Sequence, residues 1–74
     1  MKNTGHLGCH ALCITNREIE VLSLISFGFS TIEIATSLFI SSETVKSHRR
    51  NLLQKMEAKN TALLIRRAFE SGLI

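Results

Sequence analysis

The sequence predicts an all-α domain of four helices, and three observations lead there. Apolar residues recur at helical spacing in four separate stretches, a helix-capping residue stands before each, and the chain has no proline and only four glycines, all outside the strongly periodic segments. With 74 residues, 45% of them hydrophobic, there is material for one small core. A receiver, sensor or catalytic domain has no room beside it.

Residues 1–13 show no sustained period and carry Gly5 and Gly8, so the sequence reads there as a flexible leader, with the domain occupying residues 14–74. In Ile14-Thr15-Asn16-Arg17-Glu18-Ile19, Thr15 can accept the backbone N–H of Glu18 while Glu18 reaches back to Thr15. Ile14 and Ile19 then stand in staple positions. Val21, Leu22 and Ile25 continue the stripe, Leu24 lies at its edge, and Gly28 suits a left-handed end, giving a first helix from about residue 16 to about 27. Ser30-Thr31-Ile32-Glu33 repeats the capping pattern, with Phe29 and Ile34 as staple, and opens a short second helix ending near Leu38. Ser41 caps a third helix, about residues 42–56, in which Val45, His48, Leu52 and Met56 share a face. Asn60 caps a fourth, with Leu64, Ile65, Ala68 and Phe69 as its expected buried side and Gly72, Leu73 and Ile74 closing it.

Nine Lys and Arg against six Asp and Glu leave a charge of +3, which favours a polyanionic partner without naming one. The longest apolar run near the start, Ala11 to Ile14, is too short for a signal-peptide core or a membrane span. The expectation is a soluble cytoplasmic protein with both cysteines reduced and no membrane partner.

Only Phe39-Ile40-Ser41 separates the second helix from the third, a link that suits two helices crossing steeply, as in a helix-turn-helix. Ala35 is small enough for close approach, and Ile34, Leu38, Ile40 and Val45 can fill the wedge. The turn lacks the glycine often found there. With the apolar face of the third helix inward, a step of about 100° per residue turns Glu43, Lys46, Ser47, Arg50 and Gln54 outward, with Asn51 at the margin. A charged stripe alone is more often a solvated face. Here the steep link, two cations against one carboxylate, and Lys55 and Lys59 beyond them favour insertion into the major groove of duplex DNA. Lys46 and Arg50 can reach base edges, while Ser41, Ser42 and Thr44 with the first backbone amides can hold a phosphate.

Taken together, Ile14 to Leu22, Gly28, Glu33-Ile34-Ala35, Leu38-Phe39-Ile40-Ser41, Thr44-Val45-Lys46-Ser47-His48, Asn51 to Met56, Lys59-Asn60-Thr61 and Gly72-Leu73-Ile74 resemble the LuxR-type (GerE/NarL-like) domain. The resemblance covers residues 14 to 74. It implies a four-helix transcription regulator that reads inverted half-sites as a homodimer joined by its fourth helix, with RNA polymerase as a further partner at promoters. Positions matching Lys46, Ser47 and Arg50 are implied to face bases, and those matching Ser41, Thr44, Lys55 and Lys59 to lie near the backbone. Most such domains follow a receiver or autoinducer-binding domain, so this chain resembles the free-standing kind or a fragment. Three departures stand out: Ile32 and Thr61 stand where Lys and Arg are common, which removes two implied backbone contacts, and Glu57-Ala58 replaces Gly-Val, which implies a different turn.

On the fourth helix, Leu63 falls outward with Ala62, Arg66, Arg67 and Glu70. Leu63 and Ala62 are expected to meet their two-fold mates, with Arg66 pairing Glu70 across the interface. His6, Cys9, His10 and Cys13 have the ligand types of a zinc site, but one helix cannot wrap four tetrahedral ligands around a metal and Gly8 disfavours a helix, so an unstructured leader is preferred. His48 lies beside the core stripe and is read as structural, and no nucleophile and base pair stands out. No enzyme activity, cofactor, metal or small-molecule ligand is expected. The alternative function is a protein-interaction module that pairs with a larger LuxR-type regulator and antagonises it. The cationic face of the third helix weighs against that reading.

Overall fold

The computed structural model describes residues 14–74, and the expectations for the leader, including His6, Cys9, His10 and Cys13, lie outside the described residues. Four helices follow in order: α1 Asn16–Ser26, α2 Thr31–Leu38, α3 Ser42–Lys55 and α4 Thr61–Ser71. Among the described residues there is no strand, and no helix is long and apolar enough to cross a membrane.

Each helix starts in the same way. Thr15, Ser30, Ser41 and Asn60 hold extended backbone, and each side chain accepts the N–H three residues on, satisfying a donor that the first turn would otherwise leave unpaired. In α1 and α2 the box is reciprocal: Glu18 Oε1 accepts from the Thr15 N–H at 3.0 Å and Glu33 Oε1 from the Ser30 N–H at 2.8 Å.

Each helix also stops in the same way. Phe29, Ile40, Ala58 and Leu73 donate their N–H to the carbonyls of Leu24, Ala35, Leu53 and Ala68, five residues back, at 2.9–3.1 Å. That bond requires a left-handed residue just before the donor. Gly28 (φ +92°) and Gly72 (φ +79°) provide it as expected, while Phe39 (φ +59°) and Glu57 (φ +54°) provide it without being glycine. The replacement of glycine at 57 therefore leaves a left-handed backbone there and makes a side chain bear its strain.

The core is built on α3, which packs against both α1 and α2, while α4 closes against α1 and α3. Val21, Leu22, Ile34, Val45, Leu52 and Leu64 are fully buried, with Ala35, Met56, Ala58 and Ala68 filling between them. Six large side chains, each contributing about 1.5–3 kcal/mol on burial, make a thin core. Single core losses therefore weigh heavily.

Candidate nucleic-acid interface

The candidate interface comprises α3 and the turn before it. Val45, Leu52 and Met56 are buried and His48 is half-buried, so the inner face is fixed by packing. Glu43, Lys46, Ser47, Arg50, Asn51 and Gln54 are then all exposed, in agreement with the helical period. Lys46 makes only a loose contact with Glu43, 3.8 Å apart and solvated on both sides, which a phosphate or base edge can displace at little cost.

At the head of α3, Ser41 Oγ accepts the Thr44 N–H at 3.1 Å and lies 2.8 Å from Thr44 Oγ1. The contact between the two hydroxyls uses one of their two hydrogens and leaves the other to donate outward. Ser42 is half-buried beside them and Lys59 is exposed in the loop after α3. The structure thus brings Ser41, Ser42 and Thr44 to one end of α3, Lys46, Ser47 and Arg50 along its outer face, and Lys59 beyond its far end.

Lys55 is placed differently from the expectation of a backbone ligand. Its Nζ lies 2.7 Å from Oε1 of Glu18, a carboxylate only 3% exposed, across 37 residues of sequence. Burial pushes the Glu18 carboxyl up, but the Lys55 ammonium and the Thr15 N–H together outweigh it and hold the group below the ordinary glutamate value. With the folded value depressed, this contribution to stability is present above the unfolded value of about 4.3 and is lost as acid takes pH down through the folded one. No local pattern announces a pair of such separation, and sequence reasoning missed it.

The outer face of α4 needs two corrections. Phe69, expected in the core, is 62% exposed, and Leu63, expected outside, is half-buried against the core. The buried centre of α4 lies between Leu64 and Ala68, and both Phe69 and Leu63 sit about 120° from it on opposite flanks. Neighbouring helices cover one flank more than the other, and periodicity alone does not say which. Ala62, Arg66, Phe69 and Glu70 thus share the exposed side. Arg66 Nε is 3.3 Å from Glu70 Oε2 of the same helix, so the pair expected between two chains is already closed within one.

A short capped helix, a tight turn and a second helix whose outer face carries cations and amide donors define a helix-turn-helix DNA-binding domain of transcription regulators. The family model GerE, "Bacterial regulatory proteins, luxR family", matches residues 12–68, and the chain belongs to that family. It is similar to the response regulator protein VraR of Staphylococcus aureus and of Staphylococcus saprophyticus, at 41% identity over 61 residues, covering 82% of this chain and 29% of each relative. A crystal structure of the response regulator ChrA of a heme-sensing two-component system superposes with a TM-score of 0.79 at 36% identity, over 82% of this chain and 30% of that one. The chain spans under a third of the length of these relatives.

Proposed function

We propose that this domain is a sequence-specific transcription regulator that binds duplex DNA as a homodimer, laying α3 in the major groove. Lys46, Ser47 and Arg50 read base edges, Arg50 through the paired hydrogen bonds that a guanidinium makes to guanine. Ser41, Ser42, Thr44 and Lys59 hold the backbone and set the register. The second chain docks on the outer side of α4, around Ala62, Arg66, Phe69 and Glu70, with Leu63 at its edge, and two-fold symmetry then places two copies of α3 in successive grooves. At a promoter, RNA polymerase is the further partner of the bound dimer.

One observation carries the reading: the whole outer face of α3 is exposed and polar while its inner face is locked in the core. The test is selection of bound duplexes from a random pool by the full chain. Enrichment of inverted half-sites about 10 base pairs apart, centre to centre, is the expected outcome. A chain that enriches nothing in dilute salt yet still pairs with a longer family member would be an interaction module instead.

A further inference from the structure

Glu18 is the one charged residue buried among the described residues, and the proposed DNA contacts make no use of it. Its carboxylate stands where α1 begins, accepting through Oε1 both from the backbone N–H of Thr15, the residue that caps α1, and from the ammonium of Lys55, the last residue of α3. The pairs Arg17–Glu20, Lys46–Glu43 and Arg66–Glu70 instead join exposed neighbours three or four residues apart on one helix. Exposed pairs of that kind are screened and set little. The Glu18 pair spans two helices with its carboxylate out of water, where the bond is screened less and loss of Lys55 leaves a buried carboxylate without its counter-charge.

The two ends of α3 are consequently held in different ways. Its start is fixed by a cap made of its own neighbouring residues, Ser41 and Thr44. Its finish is tied to another helix, next to Gln54 and within two turns of Arg50 on the outer face. A reading helix must be held within a fraction of an ångström to align side chains with base edges, and such alignment comes from groups behind the contact surface.

We infer that Glu18 and Lys55 form a strut fixing the tilt of α3 against α1, so that Lys55 is a positioning residue acting through Glu18 and not a phosphate ligand. This rests on the DNA-binding reading above. With its ammonium against the Glu18 carboxylate, Lys55 neutralises no phosphate in this reading, so it releases none of the cations condensed on DNA and adds nothing to the salt dependence of binding.

The two roles for Lys55 predict opposite signs for Glu18→Gln, which keeps a carbonyl oxygen for the Thr15 N–H and removes the charge facing Lys55. Were Lys55 a phosphate ligand muted by Glu18, releasing it would tighten binding and steepen the slope of log affinity on log salt by about 0.9. The strut predicts binding weakened by roughly 3- to 10-fold with the slope unchanged. Lys55→Met should match that loss, the double variant should be no worse than either single one, and Lys55→Arg should recover most of the affinity.

Affinities are read by fluorescence anisotropy with the full chain, on the duplex that the wild type selects from a random pool. Each variant is measured well below its melting temperature and normalised to its active fraction. Amide exchange of the unbound protein is followed in parallel, and the strut predicts faster exchange at Leu53 to Met56 in Glu18→Gln and Lys55→Met, with α2 unchanged. Tighter binding by Glu18→Gln, a shallower salt slope for Lys55→Met, or unaltered exchange at the end of α3 overturns the inference. A wild-type chain that ignores duplex DNA sinks the DNA reading alone, and the exchange data then decide whether the strut exists.

Discussion

α3 and α4 each bury one side in the same core, and their outer sides differ in kind. That of α3 is wholly polar, from Glu43 through Lys46, Ser47, Arg50 and Asn51 to Gln54. That of α4 mixes Ala62 and a largely exposed Phe69 with an Arg66–Glu70 pair that neutralises itself. Donors and cations without apolar area suit a hydrated polyanion, whereas an aromatic ring beside small and charged groups suits another protein surface. Under the proposed function, this difference assigns DNA reading to α3 and the joining of chains to α4.

The two outer sides differ most at Phe69, the large apolar side chain exposed on α4. Phe69→Glu should lower affinity for a duplex bearing two half-sites by about 100-fold or more, through loss of linked binding, while affinity for a single half-site stays the same. Equal losses on both duplexes, or an unchanged sedimentation mass, would remove α4 as the joining surface. Leu63→Glu is a poorer probe because Leu63 also packs on the core. On α3, Arg50→Ala should cost about 1–3 kcal/mol of discrimination between selected and random sites and leave the mass in sedimentation untouched. Full site preference in that variant would move base reading elsewhere. Lys59→Ala should weaken all duplexes alike and flatten the salt slope by about 0.9, a smaller and sequence-blind effect that a salt titration resolves. The mildest change is in the turn between the two helices. Glu57→Gly should raise stability by about 1 kcal/mol in chemical denaturation by relieving a left-handed side chain, with DNA affinity and mass both preserved.

The same two helices show what was legible in the sequence. All four helix starts could be read from Thr15, Ser30, Ser41 and Asn60, because a cap is a local event between a side chain and an amide three residues away. The outer face of α3 was equally legible, since a polar stripe opposite Val45, Leu52 and Met56 has one possible orientation. Phe69 and Leu63 were not, because both are apolar, both flank the buried centre, and only the placement of neighbouring helices decides between them. The left-handed ends at Phe39 and Glu57 were hidden by the absence of glycine. A signal did exist: the donor and acceptor residues of those closing bonds, Ile40 with Ala35 and Ala58 with Leu53, are all apolar, as the helix-ending motif favours. The Glu18–Lys55 contact had no such signal, because charge pairing over that distance follows from the fold itself.

Phe39 closes α2 in a left-handed conformation with its ring 94% exposed, at the apex of the bend that launches α3. A ring so placed contributes almost nothing to cohesion, and the backbone beneath it is held in a shape that its own chemistry disfavours. The domain therefore retains unclaimed thermal headroom at its most prominent corner. Glycine there should lift the melting temperature by about 4–8 °C for each kcal/mol of relief, enough to keep crippled variants of so small a protein folded while their defects are measured.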